Sequence, residues 1–233
     1  MSYATISSNA STPTQTDRVY QQLRSDIIYC KLMPGVKLKI NELCIAYGAS
    51  LGTVREALAK LSAEHLVVPQ SRRGYSVAPV SKSDLIDLTE ARIEIESITL
   101  RRSIALGDIE WESRVISAMH VLLNLDLPKL ADSDHEKNEH WRNAHNKFHN
   151  AIASACNSSR LLELRHMLDE QSSRYRRLSY VISYGNRDVN AEHKAIGEAT
   201  LQRDADKAVK ELTNHLRSTT EFILPTLEDV PSV

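Results

Sequence analysis

Several residue types are scarce in this chain, and each shortage excludes a class of protein. Aromatic residues make up 5% of 233 positions and glycine occurs only seven times. That composition argues against a β-sandwich and for a helical body. The three cysteines, Cys30, Cys44 and Cys156, are odd in number, scattered and without metal-ligand spacing. They cannot form a disulfide framework, and are expected as buried or partly buried thiols in a reducing compartment. No apolar run approaches membrane-spanning length and no signal-peptide pattern opens the chain, so a cytoplasmic protein is expected. Phosphate-loop and nucleophile-elbow patterns are also missing.

What is present is an asymmetry. Residues 1–80 hold nine Lys+Arg against five Asp+Glu, a net of +4, while residues 81–233 hold 20 against 25, a net of −5. A basic head on an acidic body suggests nucleic-acid binding by one half. The composition changes near Pro79, and the length accommodates two domains. The expected division is a tail over 1–15, a DNA-binding domain over 16–80 and a helical effector and dimerisation domain over 83–226. The tail is rich in Ser, Thr and Ala and expected to be disordered.

Within the head, Val19, Leu23, Ile27 and Ile28 mark a helix over about 17–31, stopped by Pro34-Gly35. A short helix over 41–48 follows, with Asn41 as its expected N-cap and Gly48 as its stop. The segment SLGTVREALAKLSAEHLVV (50–68) then places Val54, Ala57, Leu58 and Leu61 on one helical face, with Ser50 as cap. Gly52, Thr53 and Arg55 are left facing outward, where they suit phosphates and base edges. Taken alone, this segment is equally an amphipathic helix with a surface arginine. The order helix, short helix, turn, longer helix is that of a helix-turn-helix. Behind it, two short β-favouring runs in LVVPQSRRGYSV (66–77) predict a two-stranded wing tipped by Arg72, Arg73 and Gly74. Lys37 and Lys39 are candidate phosphate contacts.

These residues carry a resemblance. The run from about Thr16 to Val80 resembles the winged-helix head of GntR-type bacterial transcription regulators, through Pro34-Gly35, Glu42-Leu43, Gly48-Ala49-Ser50, TVREAL (53–58), Lys60-Leu61, Glu64 and GYSV (74–77). One departure stands out. Many family members place an arginine directly after the serine that opens the recognition helix, and this chain has Leu51.

From Ser83 onward the pattern is helical, with helices predicted over 83–107, 109–126, 135–156, 158–184, 188–203 and 205–224. Six such helices make an antiparallel bundle whose interior can hold a ligand or metal. His145 and His149, spaced i, i+4, share one helix face, and His193 and His215 lie on two further helices. On spacing alone they are a metal shell or satisfied core histidines, since the chain has nine in all.

The sequences FHNAIASACNSSRLLEL (148–164) and EHKAIGEATLQRDADKAVKELTNHL (192–216) resemble the FCD effector domain of the FadR branch of GntR regulators. The resemblance implies a divalent metal, zinc or nickel, on His145, His149, His193 and His215. His145 stands where the family commonly has Asp or Asn, so four imidazoles would favour Zn, Ni or Cu. Alternatively, His145 binds an effector and no metal is held. The resemblance also places Arg92 toward the cavity, where an arginine fork suits a carboxylate. On the fourth helix of this domain, with Leu164 and Leu168 set as the inward face, Tyr175 turns inward, Arg174 lies at the edge and Arg176 points away. Arg92, Tyr175 and Arg174 are therefore the candidate effector residues.

Within the FCD group the chain is similar, nearly end to end, to regulators of glutarate and 2-hydroxyglutarate catabolism. A homodimer on a palindromic double-stranded operator, released by a small organic acid, is the expected behaviour. Two alternatives remain at this point: a regulator for which the metal ion is itself the effector, and a metal-dependent helical enzyme. Against the enzyme, no carboxylate is spaced with the histidines as a general base.

Overall fold

The computed structural model describes residues 13–70, 74–127, 135–178 and 187–229. It divides into two compact units, Met1–Pro79 and Val80–Val233. Arg72 and Arg73, the expected wing tip, lie outside the described residues, as do residues 1–12 of the expected tail.

In the first unit, α1 spans Gln15–Ile28 and starts two residues before the expected helix. The reason is a capping box: the Thr14 hydroxyl accepts from the Asp17 backbone N–H, and the Asp17 carboxylate accepts from that of Thr14. Pro13 and Thr14 are thus ordered entry to α1 rather than tail. The helix buries Val19, Leu23, Ile27 and Ile28. Next come α2 at Ile40–Ala46 and α3 at Leu51–Ala63. Lys39, not Asn41, is the N-cap of α2, and it makes no side-chain cap bond. The helix begins one residue early because Ile40 already has a place against the core. Gly48 joins α2 to α3 at φ +58°, a left-handed turn suited to glycine. The Ser50 hydroxyl caps α3 by accepting from the Thr53 N–H at 3.2 Å.

The wing is larger than the sequence pattern suggests. It has three antiparallel strands in the order β1-β3-β2: β1 at Lys37–Leu38, β2 at Val67–Gln70 and β3 at Gly74–Val77. Two residues are too few to show strand periodicity, so β1 leaves no sequence signal. Pro69 is tolerated because β2 is an edge strand.

Among the described residues the second unit is all α: α4 Lys82–Leu106, α5 Ile109–Leu123, α6 His135–Ala153, α7 Ser159–Leu178, α8 Val189–Leu201 and α9 Ala205–Ile223, then a 3-10 segment Leu224–Asp229. Ser81, Asp108, Asp188 and Asp204 cap four of these helices with side-chain oxygens. Helix α4 packs on α9, α7 and α6, and α8 packs on α5 and α9. Trp111, Phe148, Leu122, Ile152 and Ile196 fill the core between them. No helix among the described residues is long and apolar enough to cross a membrane.

Candidate functional site: metal centre, charged cluster and nucleic-acid face

The bundle brings the four histidines together. His145 and His149 project from α6, His193 from α8 and His215 from α9, all buried, and one nitrogen of each lies within 4.8 Å of the others. His149 Nε2 and His193 Nε2 face each other at 3.3 Å. Two nitrogens each about 2.05 Å from a tetrahedral zinc would lie about 3.3 Å apart, so this separation is that of two ligands on one cation.

Second contacts orient the rings. His193 Nδ1 lies 2.8 Å from the Val189 carbonyl, and His215 Nδ1 lies 2.8 Å from Glu192 Oε2. An N–H on each Nδ1 satisfies those acceptors and leaves Nε2 with its lone pair turned inward. Arg187 holds Glu192 in turn, and also donates to the His215 carbonyl and the Thr219 hydroxyl. His149 Nδ1 is buried with no hydrogen-bond partner among the described residues, so the cluster is one partner short.

Burial, then the charge of Arg176, pushes His145 down to about 3. His149 and His193 are pushed well below the usual range by burial and their neighbours, and His215 is lowered mainly by burial. All four are therefore neutral at pH 7, the state that ligates a metal. Burial opposes ionisation of Glu192, but hydrogen bonds from His215 and Arg187 hold it down at about 2. Donor type, tautomers and charge thus fit a borderline divalent ion such as zinc or nickel.

Beside the histidines lies a cluster of charge. Arg92 on α4 donates through Nε and Nη2 to Glu96 Oε1 at 3.1 and 2.7 Å, through Nη2 to Asp169 Oδ1 at 3.0 Å and through Nη1 to Ser172 at 2.8 Å. Arg176 on α7 reaches the same two acceptors, Asp169 Oδ1 at 3.0 Å and Ser172 at 3.1 Å. Arg165 lies 3.5 Å from Glu96 Oε2 and donates to Asn150. Burial works against the Asp169 charge, but Arg176 and Arg92 hold its carboxyl well below the ordinary range.

The fourth-helix expectation needs correction. Leu164 is 44% exposed and does not mark the inward face of α7. The face toward the histidines runs through Arg165, Asp169, Ser172 and Arg176, at i, i+4, i+7 and i+11, and is entirely polar. A phase set on leucines misses it. Arg176 thus joins Arg92 instead of pointing away. Tyr175 does turn inward, but elsewhere: it packs with Leu85, Leu88, Ile223 and Leu227, and its hydroxyl bonds to Asp84 and the Ser81 backbone. Arg174 is buried near Tyr175, whose hydroxyl feels its charge. Tyr175 has no hydrogen bond or ring contact to the histidines among the described residues.

In the first unit, Asn41, Ser50, Gly52 and Arg55 are exposed and Thr53 is half-buried. Arg55 forms no ion pair among the described residues, whereas Arg24 pairs with Glu64 and Lys60 with Asp17. Lys39 is exposed and paired with Glu42 at 2.8 Å. Gly74 opens β3. Leu51, at the first turn of α3, is 44% exposed.

Among the described residues, a winged helix-turn-helix is followed by six helices around a histidine centre, the make-up of a DNA-binding regulator. Residues 15–77 match the bacterial regulatory proteins of the gntR family, and residues 87–218 match the FCD domain. The HTH-type transcriptional regulator BphR of Paraburkholderia xenovorans is 39% identical over 207 residues, which cover 89% of this chain and 84% of that one. The HTH-type transcriptional repressor GlaR of Escherichia coli is 33% identical over 201 residues, covering 84% and 90%. Among solved structures, E. coli McbR/YncC shares the fold with a TM-score of 0.74 at 18% identity, covering 92% and 99%. A putative GntR regulator from a Rhodococcus species has a TM-score of 0.70 at 25% identity, covering 91% and 98%. The chain belongs to the GntR family and carries an FCD domain; it is a transcription regulator and not an enzyme.

Proposed function

We propose that this protein is a homodimeric repressor released from a palindromic operator by a small organic acid such as glutarate or 2-hydroxyglutarate. The observation that carries this reading is the arginine cluster of Arg92 and Arg176 bordering four buried, neutral histidines. In this reading His145, His149, His193 and His215 would hold a zinc or nickel ion, which would supply a fixed positive charge near an anionic ligand. Arg92 binds the effector carboxylate, with Arg176 taking the place first expected of Arg174 and Tyr175. Ser50, Gly52, Thr53 and Arg55 enter the major groove, while Lys39, Asn41 and the wing at Arg72–Gly74 contact the backbone. The repressor sign is supported by GlaR, which is named a transcriptional repressor. The acid must bind the DNA-incompetent arrangement more tightly to release the operator.

The test is a mobility shift on the promoter fragment beside the protein's own gene, titrated with C4 to C6 dicarboxylates and 2-hydroxy acids. Release by one of them at sub-millimolar concentration supports the reading. Binding that none of them disturbs refutes the acid effector. A second reading makes the ion itself the effector, and is favoured by the completed ion pairing of Arg92. It predicts operator binding that responds to chelator and not to acids.

A further inference from the structure

The two arginines nearest the histidines share one carboxylate. Asp169 Oδ1 accepts from Arg92 Nη2 and from Arg176 Nη2, each at 3.0 Å, and the Ser172 hydroxyl accepts from the other Nη of both. One carboxylate and one hydroxyl, both from α7, thus fill the outward forks of two guanidinium groups in the manner of a bound ligand. Glu96 meanwhile pairs with the other edge of Arg92 and with Arg165. Three arginines and two carboxylates thus meet in one cluster, and a divalent ion on the neutral histidines would add positive charge beside it.

Exposure differs among the members. Glu96 is fully buried, whereas the Asp169 side chain is 18% exposed. Asp169 can therefore rotate toward water without stranding a buried charge, while Glu96 cannot. We propose that Asp169 is a built-in stand-in for the effector carboxylate: it occupies the forks of Arg92 and Arg176 in the free protein, and a carboxylate ligand binds by displacing it. This rests on the acid-effector reading above and deepens it. The ligand class it selects is a carboxylate, because only a planar pair of acceptor oxygens takes over the bonds that Asp169 and Ser172 make to the two guanidinium groups. Asp169 then sets the affinity threshold, since the ligand must outcompete an intramolecular anion already in place.

Calorimetric titration of the full-length protein with glutarate tests this, using Asp169→Asn and Arg176→Gln beside the unaltered chain. Asp169→Asn keeps the size and removes the competing charge, so affinity should rise by about tenfold or more. Arg176→Gln removes one fork and should lower affinity by at least about tenfold. Binding by Asp169→Asn alone would also support the stand-in. If the unaltered chain binds glutarate and Asp169→Asn binds equally or more weakly, the stand-in is refuted while the acid effector survives. If none of the three binds, both fail. Should Asp169→Asn not fold, Arg176→Gln decides: affinity equal to that of the unaltered chain overturns the proposal.

Discussion

Acidification of the metal-free protein should unfold its effector unit well before its carboxylates titrate. His145 is held neutral in the fold down to about 3, from an ordinary value of 6.5. In the unfolded chain the same imidazole takes up a proton near pH 6.5. Below that pH the unfolded state binds more protons than the folded one, so stability falls as pH falls, and the loss levels off only near pH 3. Between pH 7.5 and 5.0 this single group costs about 2 kcal/mol, from about 1.36 kcal/mol per pH unit over the 1.5 units below 6.5. His149 and His193 shift in the same direction and add to the loss. Against a total stability of roughly 5–15 kcal/mol, the combined effect is large. Urea unfolding followed by tryptophan fluorescence measures it cleanly. The chain's two tryptophans, Trp111 and Trp141, both lie in the effector unit, and Trp141 stacks on His145 with ring centroids 5.1 Å apart. A His145→Asn variant should lose about 2 kcal/mol of the difference between the two pH values. A chelator-treated protein equally stable at pH 7.5 and 5.0, or a variant with the same pH difference as the parent, would refute the neutral, desolvated cluster.

Four further outcomes follow from individual side chains. Arg55→Ala should abolish specific operator binding while leaving the circular dichroism spectrum and melting temperature unchanged, because the side chain is exposed and unpaired among the described residues; unaltered affinity in a mobility shift would remove α3 from the interface. His149→Ala combined with His193→Ala should strip bound metal from the purified protein, as read by elemental analysis, and Glu192→Gln should weaken metal retention about 10–100-fold in chelator competition by freeing the His215 ring. Gly107→Ala should cost about 1–3 kcal/mol in urea unfolding, because the added Cβ would lie 2.1 Å from the ring of Trp111, a fully buried side chain tied by its indole N–H to the Ala151 carbonyl.

The features legible in the sequence were those with an apolar period or a strong local stop. Val54, Ala57, Leu58 and Leu61 announced α3, and Pro34-Gly35 and Gly48 punctuated the helices around it. His145 and His149 were legible as a pair because i, i+4 spacing guarantees a shared face. That His193 and His215 close the cluster depends on how α6, α8 and α9 pack, which spacing cannot supply. The wing's third strand, only Lys37–Leu38, is fixed by pairing with Tyr75 and Ser76 and not by its own composition.

The missed face of α7 has a more general cause. Apolar phase identifies the inward side of a helix when the interior is oily, and here the interior of one sector is ionic. Arg165, Asp169, Ser172 and Arg176 keep strict helical spacing, so a polar stripe carried the same information as a leucine stripe. The signal that could have found it was a periodic alternation of opposite charge with no solvent-facing counterpart. Such a stripe is costly to bury, because removing any one partner leaves an unpaired charge. Asp169 and Arg176 are the more exposed members, whereas Glu96, Arg165 and Arg92 are nearly closed off, so the cost of exchange is lowest at the α7 edge. Of the two carboxylates that meet the arginines, Asp169 is therefore the one a ligand anion can replace at the lower cost.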